Sequence, residues 1–193
     1  ENSTPVIINP GVVALTYDNL NYQAPATRAN DLVLWYKFDE TSGTTAKDSS
    51  GNGRNGSVQN ISNANWVDGV MGKALKMDSG SINSENSGGQ YVDMGTNWTI
   101  GGSMSVSTWI YLDVLSNGPR IMDLSNGNGV DNIMFGPIGT TDRMYIPFLE
   151  DTPGGREEHH QSFVNDLQKW FHISFTIDSG ATNGAHFKVY KNG

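Results

Sequence analysis

The chain contains no cysteine. That absence excludes disulfides, thiolate metal sites and a cysteine nucleophile. Positive charge is scarce as well: 12 Lys and Arg against 20 Asp and Glu leave a net charge of −8. Nucleic acid and anionic membrane surfaces call for clustered Lys and Arg, so neither is expected as the main partner. The same balance suits cation binding and solubility. No apolar run approaches the roughly 18 residues that a membrane-crossing helix needs, so no transmembrane segment is expected. Nor does a signal-peptide pattern open the chain at Glu1, and a processed or excised product is the expectation. What is abundant is glycine, 23 of 193 residues, among many Ser, Thr and Asn. Such a composition makes turns in quantity and few long helices, and the length fits one domain with a real core.

Residues 1–31 stand apart. Pro5, Pro10 and Pro25 interrupt two short apolar runs there, which reads as a linker or N-terminal extension. From Leu32 onward, short apolar runs recur between turn residues. Leu34, Tyr36 and Phe38 alternate with Val33, Trp35 and Lys37, the period of two that a strand gives and a helix does not. Further strands are predicted around Val58 and over Ala74–Met77, Gln90–Met94, Ser103–Leu112, Arg120–Leu124, Asn132–Phe135 and Arg143–Leu149. The clearest is Trp170–Asp178, where Phe171, Ile173, Phe175 and Ile177 form one face against Trp170, His172, Ser174 and Thr176. One helical turn is predicted near Phe163–Leu167. Many short antiparallel strands with regular turns predict an all-β, two-sheet antiparallel sandwich or jelly roll. Phe187, Val189 and Tyr190 form a last strand, and Asn192-Gly193 is a strong two-residue hairpin signal with no strand after it. A fragment lacking its last strands is therefore expected.

The strand at 32–39 ends in Asp39-Glu40 and runs into a loop of Ser, Thr, Asn, Asp and Gly. Carboxylates, hydroxyls, amides and free carbonyls on a glycine-rich backbone are what a hard cation such as Ca²⁺ needs, six to eight oxygens in all. The alternative is a polar loop in which these groups bond one another without metal.

The ordered motifs resemble the LamG-like jelly-roll modules of the concanavalin A-like lectin/glucanase superfamily. The matching residues are Phe38-Asp39-Glu40, Ser42-Gly43-Thr44, Asp48-Ser49-Ser50-Gly51-Asn52-Gly53 with Gly56, Gly72–Met77, Tyr91–Met94, Ser103–Trp109, Trp170–Ile173 and Val189–Gly193. The resemblance spans residues 32–193. It implies two packed antiparallel sheets and a structural calcium ion near the first strand, held by Asp39 with Asp48 and Asn52 of the loop. A last-strand Asp that such modules share with the ion has no counterpart here.

One scaffold of this kind hosts binding modules, hydrolases and lyases, so function rests on a site. A glycoside hydrolase needs two carboxylates roughly 5 to 9.5 Å apart, and the strong strands carry none except at or just beyond their ends. Arg156-Glu157-Glu158-His159-His160 is the densest ionisable cluster, and it reads as a solvated loop because neighbours on an extended chain point apart. His172 reads as a packed, hydrogen-bonded structural histidine. Stacking on sugars needs exposed aromatics, for which Trp66 and Trp98, in polar surroundings, and then Tyr145 and Tyr111 are the candidates. Trp35, Trp109 and Trp170 lie in strong strands and are assigned to the core. The expected function is a non-catalytic, lectin-like recognition module. It would bind carbohydrate or a protein surface as part of a larger secreted or cell-surface protein, beside other domains of the same parent chain. A ligand-free spacer module and a catalytic glycan hydrolase or lyase are the alternatives.

Overall fold

The computed structural model describes residues 31–193 apart from 62–64, 78–88, 97, 99–102, 115–119, 125–131, 138–143, 146–147, 150–165 and 179–185; of 132–134, 137, 144–145, 148–149 and 186–187 only the backbone is described. Residues 1–30 of the expected N-terminal extension, the 156–160 cluster and most of the helical turn expected at 163–167 lie outside the described residues.

Among the described residues, twelve strands run in chain order: β1 Thr45–Ala46, β2 Gly56–Gln59, β3 Asn65–Asp68, β4 Lys73–Lys76, β5 Tyr91–Asp93, β6 Met104–Tyr111, β7 Met122–Leu124, β8 Asn132–Pro137, β9 Met144–Tyr145, β10 Phe148–Leu149, β11 Trp170–Asp178 and β12 His186–Lys191. All pairings between them are antiparallel. They form sheets in the orders β1-β2-β5, β3-β4, β12-β11-β6 and β10-β8-β7, with β9 added to β8. The protein is all-β in its described part.

The 9-residue β11 organises the structure. Its odd-numbered residues Phe171, Ile173, Phe175 and Ile177 are buried, and Phe135 of β8 closes on them with its ring 4.7 Å from that of Phe175. Met104, Val106 and Ile110 of β6 pack on the same core, as do Met122 and Val189. Two sheets thus meet through one apolar layer. A smaller layer holds Ala46 and Val58, both buried.

The segment 32–39 departs from expectation. Its burial alternates as read, with Leu34, Tyr36 and Phe38 half-buried and Val33, Trp35 and Lys37 exposed. It nevertheless makes no regular ladder: an isolated antiparallel bridge, Tyr36 to Asp48, is its sheet-type pairing. Phe38 has φ 59°, outside the strand region, so the extended run breaks just before Asp39. Tyr36 is fixed from both sides, its hydroxyl donating to the Arg54 carbonyl at 2.9 Å. A Cβ at Gly56 would lie 2.9 Å from that hydroxyl oxygen, so only glycine lets the ring approach β2. Burial first, then Asp48 and Asp93, pushes the Tyr36 phenol above its ordinary pKa.

Candidate functional site

Two places combine chemistry with accessibility. The first is the oxygen-rich loop. Asp48 is its centre: one carboxylate oxygen accepts from Trp35 N–H at 3.1 Å and Ser50 N–H at 2.8 Å, the other from the Ser50 hydroxyl at 2.8 Å and Arg54 N–H at 3.0 Å. Partial burial pushes this carboxyl up, but the bonds from Ser50, Arg54 and Trp35 outweigh it and hold the pKa down at about 2. Asn52 turns its amide nitrogen to the carbonyls of Leu32 and Val33, at 2.8 and 3.1 Å. Together they strap the loop to the 32–36 segment.

Asp39 acts elsewhere, accepting from Lys73 N–H at 2.9 Å. That contact depends on Gly72, whose φ is +70° and whose hypothetical Cβ would lie 2.1 Å from Asp39 Oδ1. Glu40 accepts from Lys47 N–H at 2.9 Å through Oε1, while its Oε2 is buried with no hydrogen-bond partner. Asp39, Glu40, residues 41–45 and Lys47 line an open cleft of about 310 Å³.

The residues nominated as cation ligands thus do different jobs. Asp48 has its oxygens occupied by four N–H and O–H donors and does not fit a cation. Asp39 and Glu40, at the cleft, fit better. Among the described residues no group of three or more His, Asp or Glu is poised around one point.

The second place is the outward face of the β6–β11–β12 sheet. Paired residues on antiparallel strands share a face, so the register sets Tyr111 beside Trp170, Trp109 beside His172, Ser107 beside Ser174 and Tyr190, and Ser105 beside Thr176 and Lys188. Trp109 is 43% exposed, Tyr111 42% and Tyr190 41%. The Trp109 and His172 rings meet edge-on at 5.3 Å, and those of Tyr111 and Trp170 lie tilted at 5.6 Å. His172 Nε2 is 2.7 Å from the Ser107 hydroxyl, and its backbone N–H donates to Asn192 Oδ1 at 3.0 Å. The Ser107 contact holds the imidazole beside Trp109, and the Asn192 contact holds the backbone that carries it. Trp109 is therefore not a core residue, and neither is Trp35 at 45% exposure; Trp170 is half-buried on the outward face.

The aromatics singled out in loops have other settings. Trp66 lies in β3 opposite Leu75, half-buried, with its indole N–H donating to the Gly43 carbonyl at 3.1 Å. Trp98, also half-buried, donates to the Met94 carbonyl at 3.0 Å, and the Arg54 guanidinium lies 4.5 Å from its ring centre. In both, the one polar group is engaged by backbone. Tyr145 pairs through its backbone with Gly136, and its side chain lies outside the described residues. The Trp109–Tyr111 face was legible in the parity of β6, since both rings share their phase with Ser105 and Ser107.

Compared with known proteins, the chain matches no family model, no curated protein and no solved structure.

Proposed function

We propose that the chain is a non-catalytic recognition module with a LamG-like, two-sheet jelly-roll plan, binding carbohydrate for a larger secreted or cell-surface protein. The observation that carries this reading is the outward face of β6 and β11. Two aromatic pairs lie side by side there, exposed Tyr111 against half-buried Trp170 and exposed Trp109 against half-buried His172, next to rows of Ser and Thr hydroxyls. Aromatic faces stack on the apolar faces of sugar rings, and hydroxyls exchange hydrogen bonds with sugar hydroxyls. Such a surface excludes water from part of a ligand without demanding a deep pocket.

A structural calcium ion is the second part of the proposal, placed at Asp39 and Glu40. A buried carboxylate oxygen without a donor, as at Glu40 Oε2, is offset when a cation lies against it. Lys47 lines the same cleft and is the competing neutraliser.

A glycan array probed with and without chelator tests both parts. Binding to at least one class of glycan is expected, and no binding in either condition removes the carbohydrate reading. Calorimetry with calcium alone should give a binding isotherm that Glu40→Gln and Asp39→Ala each weaken about tenfold or more. An isotherm absent from the unaltered protein removes the ion.

A further inference from the structure

We infer that the outward face of β6, β11 and β12 takes an extended, uncharged polysaccharide laid along the strands; this rests on the carbohydrate reading above and goes further by naming the glycan class. Three features of the face lead there.

The first is its length. Successive outward residues on a strand are about 6.8 Å apart. The five outward positions of β11, from Trp170 through His172, Ser174 and Thr176 to Asp178, therefore span about 27 Å. That is room for several sugar rings in a row, not one terminal residue.

The second is its order. The aromatic pairs Tyr111–Trp170 and Trp109–His172 occupy neighbouring rows at one end, and Ser107–Ser174 with Tyr190 and then Ser105–Thr176 follow. A chain running along the strands meets stacking surfaces first and hydroxyls after. The sheet is regular throughout this stretch, with eight residues of β6 in register against β11, so the platform is held rigid before any ligand arrives.

The third is charge. The charged side chains described on this face are Lys188, exposed beside Thr176, and Asp178, at the far end, where it accepts from the Ser103 hydroxyl at 3.1 Å. They are of opposite sign, and the whole chain carries −8. A sulfated or uronic-acid polymer needs clustered Lys and Arg and would be repelled by this protein at long range. An uncharged polymer meets no such barrier.

The test is affinity electrophoresis of the full chain in gels holding a neutral β-glucan, xylan or mannan, against gels holding heparin or polygalacturonate. Retardation is expected in at least one neutral polymer and should persist in high salt, since no ion pairs carry it. Oligosaccharides of that polymer should gain about tenfold or more in affinity between two and six units. Trp109→Ala and Tyr111→Ala should each weaken binding by about tenfold or more, as removal of a central aromatic anchor does. Both side chains are exposed, so the melting temperature should hold, and either variant suffices if the other fails to fold. Binding confined to heparin or polygalacturonate, lost in salt and indifferent to both substitutions, overturns this inference while leaving the carbohydrate reading in place. A concentration-dependent dimer that Trp109→Ala dissolves, with no glycan retardation, overturns both by making the face a contact between copies. No retardation in any polymer, neutral or anionic, overturns this inference, and the glycan array then decides the carbohydrate reading.

Discussion

Phe175→Ala is expected to destabilise the protein by about 3–5 kcal/mol, the range for removing a buried aromatic ring from a packed core. Phe175 is fully buried at the centre of β11, and its ring is what Phe135 of β8 packs against. The substitution removes the ring and leaves a cavity between two sheets whose strands cannot close it without breaking ladder bonds to β6 and β12. Small domains have only about 5–15 kcal/mol of stability, so this loss puts the variant near or past unfolding. Urea denaturation at neutral pH measures it. Phe175→Leu, which keeps most of the volume, should recover more than half of the difference. A Phe175→Ala loss below about 1 kcal/mol would mean that the two sheets do not share this core.

Asp48→Asn is expected to cost about 1–2 kcal/mol at neutral pH and much less in acid. The variant keeps the shape but loses the charge that draws in Trp35 N–H, Ser50 N–H, the Ser50 hydroxyl and Arg54 N–H. Its amide also brings an N–H₂ group against N–H donors. The sign follows from the folded carboxyl, which titrates at about 2, below its ordinary 3.8. The carboxylate's contribution is therefore complete above pH 4 and disappears as pH falls from there toward 2. Unfolding free energies of the two proteins should diverge at pH 7 and converge near pH 2. An unchanged gap across that window would show that the loop does not depend on the charge of Asp48.

The long strands were legible because their periodicity is strong. Phe171, Ile173, Phe175 and Ile177 could lie on one face only in an extended chain, and β11 covers the expected residues, Trp170–Asp178. Shorter strands were harder. Thr45–Ala46 and Asn65–Asp68 carry too few apolar residues to show a period, and their pairing is set by partners 12 and 11 residues on in their first pairs, Ser57 and Lys76. The segment 32–39 kept its alternation but not its ladder, because pairing needs a partner strand that local sequence does not specify.

The site was less legible than the fold. An Asp in a loop of Ser, Asn and Gly has the same local sequence whether it cages a cation or closes the loop on itself. What separates the two for Asp48 is the Trp35 N–H, 13 residues away. For the aromatics, residue type outweighed position: tryptophan in a strong strand reads as core. The parity of Met104–Tyr111 said otherwise, with Met104, Val106 and Ile110 inward and Trp109 outward with Tyr111.

The proposed function turns on which tryptophans meet the ligand. The chain has 5, at positions 35, 66, 98, 109 and 170, and each indole N–H gives a separate signal in a ¹H–¹⁵N correlation spectrum. Titration with whichever glycan the protein binds should shift the Trp109 and Trp170 signals, together with the backbone signals of Tyr111 and His172. Trp66 and Trp98, whose N–H groups are held by the Gly43 and Met94 carbonyls, should stay still. Shifts confined to Trp66 or Trp98, with Trp109 and Trp170 unmoved, would contradict the assignment of recognition to the outward face of β6 and β11.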